Sequence, residues 1–166
     1  MWASRSGTNA APVSSAPGQA VLLCQVGPLV CALPLAHVLE TMRPLPCEPL
    51  LGTAAFVDGV AIIRGAPVPV VDLARLVGSS SDEPRGRLVV VKVGARRVAL
   101  AVERVLGVRA LETAQLTELP PLLGGASADV VRALGLLDAR LLVVLETSKL
   151  LPEVAWSSPE AAGAQA

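Results

Sequence analysis

The chain has 166 residues, 52% hydrophobic, 17% charged and 2% aromatic, and its 14 basic side chains balance its 14 acidic ones. That length suits one compact domain, or two very small ones sharing a core, and the core is aliphatic because Phe56, Trp2 and Trp156 are the only aromatics. Balanced charge excludes a global pull toward nucleic acid or membrane, and the scarcity of aromatics excludes the stacking platforms of single-strand readers.

Residues 1–19 are Ser, Ala, Pro, Gly and Thr without periodicity and read as a disordered tail. Residues 153–166 read the same way, so Trp2 and Trp156 decorate the tails. The stretch 21–39, VLLCQVGPLVCALPLAHVL, has the length of a membrane span. Gly27-Pro28 interrupts its middle and Pro34 a second turn, so no membrane insertion is expected. Arg5 as the only positive residue before it makes a poor signal peptide. Three cysteines, Cys24, Cys31 and Cys47, lack framework spacing and suit a reducing, cytoplasmic compartment.

Between the tails the chain repeats itself. Residues 24–43 align with 91–110 at a shift of 67 (Val26-Gly27 with Val93-Gly94, Val38-Leu39 with Val105-Leu106). Residues 57–77 align with 131–151 at a shift of 74 (Asp72 with Glu146, Arg75 with Lys149). Each half reads as a hairpin (21–26 with 29–33; 88–93 with 96–102) and a third strand (38–43; 105–111). A Pro-rich loop, PLPCEP or LPPLLGG, leads to a second hairpin (57–64 with 67–71; 131–137 with 140–146) and a short helix. Five short strands per half predict two small β-barrels that must pack together to bury enough surface. Asp72 is the expected N-cap and Gly78 the expected stop of the first helix. Pro67 and Pro69 predict an edge strand or a bulge.

The turns fix three local geometries. Gly27-Pro28 sets Cys24 opposite Cys31, as reduced thiols packing like small hydrophobes. Gly94-Ala95 sets Lys92 opposite Arg97. From Arg85 to Arg109 seven basic residues face one acid, Glu103. That run is a solvated sheet face or a docking surface for an acidic partner, with Lys92 and Arg97 the candidate contacts. A turn at Gly65-Ala66 would leave Arg64 exposed at the end of its strand, opposite Pro67, as an interface residue.

Chemistry is sparse. His37 is the only histidine, and its strand-entry setting reads as structural. The cysteine spacings do not form a zinc site, and phosphate-cradling, dinucleotide and calcium-loop motifs are missing; Gly124-Gly125 reads as a loop. Glu40, Asp58, Asp72, Glu103 and Asp138 are dispersed, with no pair that spacing brings together. No catalytic set, metal or cofactor is expected, and a binding module is.

The runs GVAIIRGAPVPVVDLARLVG (59–78) and LPLAHVLETMRPLP (33–46) carry a resemblance. Gly59, Val60, Arg64, Gly65, Pro69, Val70, Asp72 and Leu73 match one run of the CheW-type coupling domains of bacterial chemotaxis, and Ala32, Leu33, Pro34, Val38, Glu40 and Arg43 match another. The resemblance covers 21–152 and sets the domain at 20–152. It implies a mainly β fold: two SH3-like five-stranded barrels around a shared hydrophobic core, with short helices and no enzymatic activity. It implies an adaptor that joins a CheA-type histidine kinase to the cytoplasmic tip of methyl-accepting chemoreceptors, recruited to membrane-associated receptor arrays. Receptor contacts carry over to Val38, Glu40 and Arg64. Ile62 departs from the family's Asn, and Cys24 and Cys31 from its common aromatics. Three alternatives stand beside it. One is a scaffold of another motility or kinase pathway. Another is a nucleic-acid-binding barrel using the basic run. The last is a hydrolase pairing His37 with Cys24 or Cys31.

Overall fold

A computed structural model describes residues 18–112, 114, 116–118 and 130–150. Both tails from the sequence reading, apart from residues 18–19, and the LPPLLGG loop lie outside these residues.

Eleven strands dominate the described residues. They are β1 (Gln19–Val26), β2 (Leu29–Pro34), β3 (Val38–Met42), β4 (Val57–Ile63), β5 (Ala66–Asp72) and β6 (Arg87–Val93). They continue as β7 (Arg96–Val102), β8 (Arg104–Leu111), β9 (Leu116–Glu118), β10 (Val131–Leu137) and β11 (Arg140–Leu145). A single helical turn, α1 (Leu73–Leu76), follows β5, and 3-10 turns occupy Leu35–His37 and Thr147–Lys149. Asp72 caps α1 as expected: its carboxylate accepts from Arg75 N at 3.3 Å, and Gly78 takes φ 74° just beyond.

The strands form two sheets, β3-β6-β7-β5-β4 (the first barrel) and β8-β1-β2-β11-β10-β9 (the second). Each contains strands from both halves of the chain. The sequence reading built one barrel from each half; instead the halves exchange their first hairpins, so that β6–β7 sits between β3 and β5, and β1–β2 between β8 and β11. The duplication survives this exchange down to single residues. Val38↔Val91 in one sheet corresponds to Val105↔Cys24 in the other at the shift of 67. The parallel pairs Val70↔Ala99 and Val144↔Ala32 correspond at the shifts of 74 and 67. The bulges correspond too: the hairpin registers slip at Val57/Gly59 and at Val131/Ala133. The short strand β9, within the longer second half, lies between the expected third strand and the LPPLLGG loop and adds a sixth strand to its sheet.

Three apolar clusters explain the unbroken hydrophobic runs. Leu22, Cys24 and Val26 of β1 and Val98, Leu100 and Val102 of β7 meet in a core shared by the two barrels. The intervening Val21 and Leu23 line the second barrel, and Ala99 and Ala101 the first. Strands buried on both faces lose the polar alternation of a surface strand, which is why 21–39 resembles a membrane span. No helix among the described residues is long and apolar enough to cross a membrane.

Pro67 and Pro69 do not mark an edge strand. β5 lies between β7 and β4, but its pairing with β7 covers only Val70–Asp72. Ile63↔Ala66 closes the β4–β5 hairpin, so Ile62↔Pro67 and Val60↔Pro69 are pairs that exchange no N–H···O bonds. The missing donors point to the side that β7 leaves uncovered, where they cost the ladder nothing.

A polar buckle joins the barrels. Glu103, between β7 and β8, accepts from Gly27 N in the β1–β2 turn at 2.6 Å and from the Ser81 hydroxyl. Arg85 reaches Asp72 at 3.2 Å and Glu103 at 3.9 Å, and donates to Glu83 O at 2.6 Å. Arg75 contacts Asp58 at 3.1 Å and Asp72 at 3.7 Å. Three of the carboxylates that looked dispersed, Asp58, Asp72 and Glu103, are thus gathered by two arginines. Arg85 is a structural clamp and not part of a solvated face.

Candidate docking surface

β3 is only half embedded, and its residues alternate between partly buried and exposed. Val38 packs against the shared core. The register slips between Val38 and Glu40, so Leu39 has no partner across the ladder and is 49% exposed. The bulge presents Glu40 outward beside it.

The facing element is the β4–β5 turn. Its central residues are Arg64 and Gly65, one position earlier than the sequence suggested, and Arg64 sits inside the turn and not at a strand end. Both have positive φ, 52° and 77°, the requirement of a type I′ turn. Arg64 is therefore held in the left-handed region that L-residues avoid.

β3 and β4 are the two edges of their sheet, yet Arg64 meets Glu40. Arg64 Nε donates to the two Glu40 oxygens at 2.9 and 3.0 Å, and Nη2 donates at 2.6 Å. This contact shows the sheet curling until its edges meet, as a barrel requires. The forked geometry fixes the guanidinium plane as well as its position. The hydrogen bonds from Arg64 hold the Glu40 carboxyl below its usual range, against a desolvation that pulls the other way. The charges of Arg64 and Arg97 add to the lowering, and Glu40 in turn raises Arg64.

Arg97 thus lies within electrostatic reach of the pair. Lys92 stands directly opposite it in the β6–β7 ladder, as the Gly94-Ala95 turn dictates, and both are exposed. The charge of Arg97 thus links the Lys92–Arg97 pair electrostatically to Glu40. Ile62, 64% exposed, supplies an apolar neighbour at the hairpin end. The spacing of 24 residues between Glu40 and Arg64 gave no hint of their contact, which depends on barrel closure.

The remaining candidates are accounted for elsewhere. His37 ends the 3-10 turn before β3, and its Nδ1 hydrogen-bonds the hydroxyl of buried Thr147. Cys24 and Cys31 are directly opposed in the β1–β2 ladder, free and buried. Burial pushes the Cys24 thiol up to about 12 and raises Cys31 further, which disfavours a thiolate nucleophile. Among the described residues no group of three or more His, Cys, Asp or Glu could hold a metal.

Residues 20–155 match the family model of the CheW-like domain. The chain is 37% identical to Protein FrzA of Myxococcus xanthus over 142 residues, covering 81% of this chain and 86% of that protein. It is 34% identical to a chemotaxis protein CheW of Thermotoga maritima over 102 residues, 60% of this chain and 65% of that one. The crystal structure of the scaffolding protein TtCheW from Thermoanaerobacter tengcongensis superposes with a TM-score of 0.67 at 18% identity, over 78% of this chain and 89% of that one, and it shares the fold. The chain belongs to the CheW-like domain family, with the two SH3-like barrels that the resemblance implied. It is a coupling adaptor of the chemotaxis type.

Proposed function

We propose that this non-enzymatic adaptor joins a CheA-type histidine kinase to the cytoplasmic tip of a chemoreceptor, and that the receptor docks on the Glu40–Arg64 surface. The observation that carries this reading is the forked ion pair, held on a strained turn beside exposed Ile62 and Leu39. A preordered guanidinium next to apolar area is the anchor type enriched at interfaces. Val38 acts from behind by seating β3 on the core. Lys92 and Arg97 bias the surface toward acidic groups. The kinase uses other faces of the barrels, and the adaptor is recruited to membrane-associated arrays through its partners.

The test is Arg64→Ala, measured against receptor and kinase separately. Receptor binding should fall tenfold or more while kinase binding and melting temperature hold. Loss of fold would make Arg64 structural, and unchanged receptor binding would move the site elsewhere. The Ile62 departure favours a second reading, a coupling scaffold for a pathway other than chemotaxis. Pull-down of receptor and kinase from cells separates the two.

A further inference from the structure

The second barrel holds a cavity of about 170 Å³ walled by Val21, Leu111, Leu116, Ala133 and Val144. Leu111 and Leu116 lie on β8 and β9, the two edges of the six-stranded sheet, so the cavity sits where that sheet curls shut. The polar part of its lining comes from Gln19 and Arg132. A dry apolar cavity of about 150 Å³ takes up benzene, so this space has room for a hydrocarbon of about six carbons.

The first barrel shows how the same place is filled when nothing is to enter. There the larger Leu88 takes the position of Val21. Gly59 takes the position of Ala133 and lets the Glu48 backbone press on β4, since a Cβ there would lie 2.1 Å from Glu48 O. The charges differ as well. Asp58, the counterpart of Arg132, is paired with Arg75 at 3.1 Å, but the counterpart of Arg75 is Lys149. Both members of that pair are basic in the second half, so the ion pair of the first barrel has no equivalent. Arg132 has no ion-pair partner among the described residues. One barrel is plugged and neutralised, and the other keeps an apolar space beside an uncompensated guanidinium.

We infer that the second-barrel cavity binds a small apolar carboxylate. Its hydrocarbon fills the space against Val21, Ala133 and Val144, and its carboxylate meets the Arg132 guanidinium, whose planar fork matches that head group. A single cation calls for a singly charged head, and aliphatic walls call for a body without further polar groups. The ligand would touch β1 and β8 on one side and β9, β10 and β11 on the other, and so hold the second barrel closed.

Titration calorimetry and thermal melting of the full chain with benzoate and hexanoate, a ring and a chain of the right size, test this. At least one of the two should bind with saturation and raise the melting temperature, as a ligand of the folded state must. Acetate, the head without the body, should do neither at the same concentration. Benzyl alcohol, the ring without the charge, should bind at least tenfold more weakly than benzoate if benzoate is the one that binds. Arg132→Gln should lose at least tenfold in carboxylate affinity with its own melting temperature unchanged, and Ala133→Leu, which fills the space, should abolish binding. Should Ala133→Leu fail to fold by circular dichroism, Arg132→Gln still decides. Absence of binding by both probes overturns the inference. So do an equal response to acetate, unchanged affinity in Arg132→Gln, and a folded Ala133→Leu chain that binds normally.

Discussion

At the tip of the first barrel the guanidinium sits on the turn and the carboxylate on the strand; at the tip of the second the order is reversed. Asp138 lies at φ 48° in the β10–β11 turn, the position related to Arg64 by the shift of 74, and reaches Arg109 of β8. The flanking apolar residues correspond as well: Ile62 is 64% and Leu136 72% exposed, and Leu39 is 49% and Leu106 44%. The pairs themselves differ. Arg64–Glu40 is a fork closing to 2.6 Å, whereas Arg109–Asp138 is a loose 3.7 Å contact. Glu40 lies on the same bulge that places Gly107 in the second barrel, so the second tip has no acid at the matching strand position. Duplication copied the backbone and the apolar rim, and left the charges free to diverge. One tip presents a fork of three short hydrogen bonds and the other a single long contact, and the docking proposed above rests on the first.

The largest expected effect breaks both tips at once. Leu100 is fully buried in the shared core, so Leu100→Ala should cost about 2–5 kcal/mol in chemical denaturation, and the barrels should lose stability in a single transition. Two separated transitions would mean that the barrels are independent. Next comes the contrast itself. Arg64→Ala should weaken receptor binding at least tenfold, while Asp138→Ala should change it less than about twofold, a difference titration calorimetry resolves. Equal losses would erase the distinction between the tips. Reversing Lys92 and Arg97 to Glu should weaken receptor binding with the melting temperature unchanged.

A smaller effect concerns the turns. Ala139 has φ 64° without being glycine, so Ala139→Gly should raise stability by about 0.5–1 kcal/mol, the left-handed penalty less the glycine entropy. Differential scanning calorimetry would show it. The smallest effect is in pH. The folded-state pKa of Glu40 is lowered, so the pair's contribution is present above the unfolded value and lost as pH falls through the folded one. Receptor binding should therefore stay flat through neutral and mildly acidic pH and fall only below the ordinary Glu value of about 4.3. A decline already near neutral would tie the docking to another group.

Much of this comparison could be read from the sequence, and its limits have physical causes. The glycine turns fixed Cys24 opposite Cys31 and Lys92 opposite Arg97, because a two-residue hairpin sets its own register. The turn expected at Gly65-Ala66 falls at Arg64-Gly65, where glycine comes second and not first as in Gly27-Pro28 and Gly94-Ala95. The repeat held the better signal, since Arg64 aligns with Asp138 and both open a type I′ turn. Exchange of the β1–β2 and β6–β7 hairpins was invisible: related strands have related edges, so either partner satisfies the local pattern. The Glu40–Arg64 fork and the Arg85 clamp depend on that exchange and on barrel closure, and no local spacing encodes them.

The exchange of the β1–β2 and β6–β7 hairpins also has a consequence for how the chain reaches its native state. During synthesis the first half emerges with β1 lacking β8 and β3 lacking β6, two open hydrogen-bonding edges on strongly apolar strands. Neither barrel can close until the ribosome has delivered the other half. The wait is a window in which these edges can pair with other nascent chains, and the long-range closures that end it are intrinsically slow. A fragment cut at the linker between α1 and β6 should therefore aggregate, and the two fragments should need to meet before either folds.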